Sequence, residues 1–327
     1  MSPKRDITKA RLHYRKLLNS SQSLIVQKQQ RVQSKMQRYY EDKEIVQEYS
    51  RYRPLLSDQV RVAVMDYLKS KTKGCQGKYD MLLDVGCGGG QATQLFASDF
   101  KKVVGIDVSQ NQIDDANRKN CYDHVKYQVG HAEKLDFEND SVDLIISVEA
   151  AHWFNVQEFL AEAFRVLKPG GCIAVIGYLP PTFIPQSYLG DKAKVAAKQL
   201  EIGYSFLKEV PKERMQSYLH VASRYQNVLD LMPVYDKCRL PDLELSFKWS
   251  KKHVLGFMRS MDMVVHLNEQ RYNEVLQKNG EVTYDDVKKI DVAIDYFNII
   301  AKEFSELQNP DATVNALFQV FTVAGSK

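Results

Sequence analysis

"LLDVGCGGGQATQLF", running from Leu82 to Phe96, sets four glycines into the five positions 86–90 directly after an apolar run. A plain turn needs fewer, so something must approach this backbone too closely for side chains. The apolar run reads as a buried strand and the segment after the glycines as a helix. Further apolar runs near 103–107, 125–129, 142–148 and 172–177 share the length and β-branched content of buried parallel strands. Between them "QATQLFASDF", "QNQIDDANRKN" and "NVQEFLAEAFRVLK" read as helices, the last stopped by Pro169-Gly170-Gly171. Strand and helix in this rhythm predict an α/β sheet with helices on both faces.

Upstream, "RPLLSDQVRVAVMDYLKS" (53–70) reads as a helix, with Pro54 near its start and Val60, Val64 and Leu68 on one face. After Tyr178 the rhythm breaks. "LPPTFIPQ" reads as a proline-rich loop, residues 190–230 as amphipathic helix, and "LELSFKWS" (243–250) as a strand. Helices over about 251–277 and 284–307 then precede a closing strand in "NALFQVFTVAG". The second half is expected to complete the sheet and to lay helices over one end of it.

Composition sets outer bounds. Of the 327 residues, 44% are apolar and 26% charged, as in a soluble globular protein. The longest apolar runs, such as Leu144–Val148, are far shorter than the ~20 residues of a membrane span. The basic N-terminus is not followed by a signal-peptide pattern. Five scattered cysteines without a C-x-x-C pair argue for a reducing compartment, with cytoplasmic localisation expected, and against a zinc site or any other metal site. The net charge is +4, yet residues 1–40 alone carry ten Lys/Arg against one acid. That arm could be a solvated helix or tail, a mitochondrial transit peptide, or a contact to nucleic acid through phosphates. Ile25, Val32, Met36 and Tyr39 keep a helical spacing that suits all three.

The ligand of the glycine loop follows from the acids around it. In an open parallel sheet, ligands sit at the carboxyl ends of the strands. The second strand ends at Asp107, where a carboxylate can accept both hydroxyls of a ribose. A dinucleotide fingerprint counted from Gly86 needs its third glycine at position 91, which is Gln91. The pattern is instead Asp84-x-Gly86-x-Gly88-x-Gly90. A pyrophosphate favours helix-terminal amides without a neighbouring carboxylate. Asp84 suits a cation better, and S-adenosylmethionine, with a ribose, an ammonium and a sulfonium, fits. A Walker A loop is excluded because no Gly-Lys-Ser/Thr follows.

These residues resemble the class I S-adenosylmethionine-dependent methyltransferases of the type 11-like group, from about Tyr40 to Tyr178 and more loosely to the closing strand. "LLDVGCGGG" matches the family's first motif, "GIDVS" its second-strand acid and "VLKPGG" the turn before its fifth strand. "YSRYRP" (49–54) and "SVEAAHWF" (147–154) are similar to the small-molecule subgroup that includes the trans-aconitate methyltransferases. The resemblance implies a Rossmann-like seven-stranded sheet. It divides the chain into the arm (1–45), a cofactor-binding core (46–180), a helical lid (181–240) and a segment completing the sheet with inserted helices (241–327). It further implies that Gly86, Gly88 and Gly90, with Asp84 nearby, cradle the methionine and ribose part of the cofactor. Asp107 would bind the ribose and Val108 would cover the adenine. Ala132 and Glu133, in "GHAEKL", would meet the adenine edge, although His131 stands where many relatives carry Asp. Arg53 and Tyr52 would reach the cofactor's carboxylate.

The fourth strand ends in "EAAHWF", beside the sulfonium in this architecture. His152 could orient an acceptor or take its proton, Glu149 could help position either molecule, and Trp153 could wall the pocket. Lys192, Lys194, Lys198, Tyr188 and Tyr204 in the lid would suit an acidic substrate or simply be a solvated face. Arg259 matches an arginine of the trans-aconitate-like relatives and would hold a substrate carboxylate. The sequence lacks the N/D-P-P-Y/F tetrapeptide of the adenine methylators and the Pro-Cys nucleophile of the cytosine-C5 methylators. The expected activity is methyl transfer to oxygen of a small acceptor such as a carboxylate. The alternatives are RNA or protein methylation using the basic arm, or a non-catalytic binding module. Neither a monomer nor a dimer is singled out.

Overall fold

The computed structural model describes residues 50–72, 77–234, 236–281, 283, 286 and 289–327. The basic arm of residues 1–45 lies outside the described residues.

Five parallel strands form the first half of the sheet: β1 (Tyr79–Val85), β2 (Phe100–Asp107), β3 (Val125–Val129), β4 (Val142–Val148) and β5 (Leu167–Tyr178). Their order is β3-β2-β1-β4-β5, so the direction of winding reverses between β1 and β4. The crevice at that switch point is where a parallel sheet can hold a ligand. Consecutive residues along the strands feed opposite faces. Leu82, Leu144, Ile146, Ala174 and Ile176 pack into one core, and Leu83, Val85, Ile145, Ile173 and Val175 into the other. Both faces are covered, which is why these segments read as near-continuous apolar runs.

The connecting helices are α1 (Asp58–Lys71), before β1, then α2 (Gln91–Phe96), α3 (Gln110–Lys119) and α4 (Val156–Val166). Val60, Val64 and Leu68 are all buried on one face of α1. Its start lies after, not at, Pro54, with extended Ser57 as the N-cap. The helix α4 ends at Val166, and Pro169-Gly170-Gly171 fall inside the long strand β5 rather than in a separate turn. There Leu167 pairs with Val142, and the ladder shifts register before Cys172 pairs with Leu144. Gly170 takes φ +79 to make that shift.

The second half holds β6 (Thr182–Pro185), helices α5 (Lys192–Leu207), α6 (Lys212–Ala222) and α7 (Gln226–Leu231), and then β7 (Lys237–Ser250). Helices α8 (Lys251–Arg259), α9 (Asp262–Asn279) and α10 (Val292–Glu303) precede β8 (Thr313–Ser326). The segment "LPPTFIPQ" is thus partly a strand: residues 182–185 pair antiparallel with 314–317 of β8. The helix expected over 251–277 is broken at Ser260-Met261, where Ser260 N–H reaches back to the carbonyls of Gly256 and Phe257. One edge of β8 pairs along its length with β7, and the other is shared by β5 (residues 172–178) and β6. The sheet therefore has eight strands, one more than expected: β3-β2-β1-β4-β5-β8-β7 lie side by side, and β6 pairs with β8 beyond the end of β5. Among the described residues no helix is long and apolar enough to cross a membrane.

Candidate functional site

The loop after β1 is clipped to β2. Gly86 N–H and Cys87 N–H both donate to the Ile106 carbonyl, at 2.8 and 2.9 Å. Gly88 N–H donates to Asp107 Oδ2 at 3.0 Å, and Ser109 N–H to Oδ1 at 2.9 Å. Each oxygen of Asp107 keeps lone pairs for a further donor. Glycine is required here for two different reasons. A Cβ on Gly86 would lie 2.5 Å from Ala150 Cβ, and one on Gly90, at φ +80, would lie 2.5 Å from Tyr127 Oη. Those two positions are closed by the protein's own side chains. Gly88 faces an open cavity together with Gly86, whereas Gly90 does not line it. Gly90 is thus a packing glycine of the turn.

That cavity, about 140 Å³, is also lined by Arg53, Asp84, Asp107, Val108, Gln112 and Ala132. It runs into a second, of about 120 Å³, through Arg53, Glu149, Trp153 and Tyr178, which line both. His152 lines the second. Several of the residues singled out in the sequence stand elsewhere. Tyr52 is buried with its ring against Gly256, where a Cβ would meet it at 2.5 Å, and edge-on to His253. It anchors the segment before α1 to α8. Glu133 accepts from Asn155 N–H at 2.9 Å and so fixes the start of α4. Arg259 does not reach the cavities: its Nε and Nη2 both donate to Asp291 Oδ2, at 2.8 and 2.6 Å, on an exposed face. The lid lysines are likewise turned outward, Lys192 to Glu244 and Lys198 to Glu201 and Glu303. Exposed His131 forms only an isolated bridge to Lys134.

Burial governs the electrostatics of the cleft. Asp84 is fully buried; its Oδ2 accepts from Thr93 Oγ1 at 2.6 Å and its Oδ1 has no partner among the described residues. Loss of water, reinforced by the charge of Asp107, pushes its carboxyl up to about 7. The same desolvation raises Asp107. Glu149 sits at φ +52, a strained setting for a non-glycine residue at the carboxyl end of β4. Its Oε1 accepts from Tyr178 N–H at 2.8 Å, and burial lifts it to about 7 against the pull of Arg53. His152 is driven down to about 3 by burial, then by the charges of Arg53 and His220. It is a neutral ring at any physiological pH and a poor proton acceptor. Its Nδ1 lies 2.8 Å from the hydroxyl of fully buried Tyr225.

Two residues of the site escaped the sequence reading. Gln112 is 3% exposed, lines the first cavity, and has an Oε1 without a partner among the described residues. Its signal was a polar residue three positions after the N-cap Ser109, on the inward stripe of α3 with Ile113 and Ala116. Tyr225, 73 residues beyond His152, gave no local signal.

A buried carboxylate oxygen without a partner, bare backbone at Gly88 and a second carboxylate at the end of β2 suit a ligand with an ammonium and a ribose. S-adenosylmethionine fits this donor set. Residues 83–175 match the family model described as a methyltransferase domain. Over that segment the chain is similar to methyltransferase domains. A Dictyostelium discoideum protein named as a methyltransferase is 37% identical over 134 residues, 41% of this chain and 47% of that protein. Saccharomyces cerevisiae CRG1, named a probable S-adenosylmethionine-dependent methyltransferase, is 31% identical over 114 residues, 33% of this chain and 39% of CRG1. The chain thus spans less than half the length of these curated relatives. A solved structure of a type II methyltransferase from Anaeromyxobacter dehalogenans superposes with a TM-score of 0.57 at 24% identity. It covers 84% of this chain and 98% of that one, a likeness of fold. The fold is the Rossmann-like one of that solved structure.

Proposed function

We propose that the chain is an S-adenosylmethionine-dependent methyltransferase acting on oxygen of a small acceptor, a carboxylate or similar group. The observation that carries this reading is Asp84 Oδ1, buried and unpartnered beside the bare backbone of Gly88. A permanent cation in the cavity would satisfy it. Asp107 would hold the ribose, Val108 and Ala132 would line the adenine, and Gln112 would offer its carboxamide to the same ligand. Arg53, bordering both cavities, would meet the cofactor's carboxylate. The residues of 46–180 form the cofactor core in this reading, with 181–240 as its lid and 241–327 completing the sheet.

The cofactor supplies an electrophilic methyl on sulfur; transfer to a carboxylate oxygen leaves a neutral thioether and a methyl ester. The protein's part is positioning and exclusion of water. A carboxylate needs no base, so His152 serves by hydrogen bonding: when Tyr225 donates to Nδ1, Nε2 carries the proton and can donate to the acceptor oxygen. Trp153 closes the wall between the two cavities. Glu149, with a carboxyl near 7, carries its proton for much of the time at neutral pH and can donate to the same acceptor. "YSRYRP" and "SVEAAHWF" support a small-molecule acceptor, although Arg259 has no part in this site.

Calorimetric titration with S-adenosylmethionine, S-adenosylhomocysteine and NAD tests the reading. Micromolar binding of the two sulfur nucleosides and none of NAD is expected. NAD binding without S-adenosylmethionine binding would overturn it.

A further inference from the structure

Beyond the second cavity lies a third, of about 340 Å³, within the roughly 300–1,000 Å³ of small-molecule sites. Pro180, Tyr218, Phe257, Met261 and Met263 line both, so the two are continuous. Among the described residues no charged side chain lines the third cavity. Its walls are aliphatic, aromatic and Met side chains from the lid helix α5, the β5–β6 connection and helices α8 to α10. The one carboxamide in it is already satisfied: Gln199 accepts from Phe183 N–H at 2.9 Å and donates to the Phe183 carbonyl at 2.6 Å. Lys192 and Lys198, which could have offered charge to a polyanion, are paired on the outer face. Within α5, Gly203 lines the cavity, and a Cβ there would meet nothing within 4 Å. Glycine inside a helix costs about 0.5–1 kcal/mol relative to alanine; here it leaves room. Leu200 and Tyr204, 54% and 56% exposed, line the outer side, so the cavity reaches the surface through an apolar rim.

From this we infer that the acceptor is an amphiphile with a single polar head. Its hydrocarbon body fills the third cavity, and its head, a carboxylate, lies beside Glu149 and His152 in the second. The inference rests on the methyltransferase reading and narrows its acceptor to lipophilic monocarboxylic acids. It sets aside di- and tricarboxylates, for which the third cavity offers no cation among the described residues.

The test is calorimetry on the full chain saturated with S-adenosylhomocysteine, titrated with butanoate, hexanoate, octanoate and decanoate. Burial of each methylene should tighten binding by about fourfold, so decanoate, with six more methylenes, should bind on the order of 1,000-fold or more tighter than butanoate by the same rule. Gly203→Phe should remove most of that gain while leaving S-adenosylhomocysteine and butanoate affinities unchanged. Equal affinity along the series, or a gain that survives Gly203→Phe, overturns the proposal. The series on the unaltered protein decides even if the variant folds poorly. A failure of S-adenosylhomocysteine itself to bind would instead remove the cofactor reading on which the inference stands, and the inference with it.

Discussion

Replacing Asp84 with Asn should stabilise the ligand-free protein and weaken its cofactor binding at the same time. The carboxyl stands near 3.8 in the unfolded chain and about 7 in the fold. A folded value above the unfolded one means that stability is fully present below about pH 4 and is lost as pH rises through 7. By linkage the buried charge costs on the order of 4 kcal/mol at pH 8 and under about 1 kcal/mol at pH 4. The larger figure is an upper bound, because Asp107 contributes to the shift. Asp84→Asn keeps the shape and an acceptor for Thr93 but has no charge to desolvate. Recovery of half the cost, about 2 kcal/mol, would raise Tm at pH 8 by roughly 4 °C, at about 2 °C per kcal/mol for a chain of this size. At pH 5 the cost has fallen to about 1.7 kcal/mol, so the same half recovery should leave a Tm difference of only roughly 1.5 °C. Affinity for S-adenosylmethionine should fall by about 1–3 kcal/mol, the loss of a charged hydrogen-bond partner, or roughly 5- to 150-fold. Melting curves across pH 5–8.5 and calorimetry read the two effects separately. Parallel Tm profiles in both proteins would refute the buried charge, and unchanged affinity would refute its ligand.

Glu149→Gln should act on the pH profile. The carboxyl loses its proton as pH rises through about 7, which sets a negative charge beside the acceptor carboxylate. Turnover of the unaltered protein should therefore decline above pH 7, and the Gln variant should not show that limb; a rate that rises through pH 7 would make Glu149 a base for a hydroxyl instead. Gly90→Ala forces a Cβ to 2.5 Å from Tyr127 Oη at φ +80, which should destabilise by about 2–4 kcal/mol in urea unfolding. Adding Tyr127→Phe should return part of that loss, and a fully stable single variant would contradict the packing role of this glycine.

What could be read from the sequence was local. Strands β1 to β5 declare themselves by unbroken apolar runs, because both of their faces are buried by helices that follow immediately. Asp84 and Asp107 could be placed at one cleft because they flank a single turn. The misreadings all depended on distant partners. Residues 182–185 become a strand only because 314–317 lie beside them, which overrides three prolines in the neighbourhood. Arg259 looked available until Asp291 was brought against it, and Tyr225 meets His152 only once α6 and α7 fold over β4's end. Gly90 was read as a ligand contact because spacing alone cannot separate a bare backbone that faces a cavity from one pressed against Tyr127.

The position of β8 between β5 on one side and β7 on the other bears on how the chain is made. About 140 residues separate Tyr178 from its partner Val320. At a synthesis rate of roughly 5–20 residues per second, β5 presents an unpaired edge for about 7 to 28 s after it emerges from the ribosome. An exposed, apolar strand edge of that duration is a template for pairing with other chains. The cofactor crevice between β1 and β4 can assemble early from nearby segments, whereas the half of the sheet beneath the lid must wait for β8. Expression yield should thus be more sensitive to chaperone supply and growth temperature than to cofactor availability.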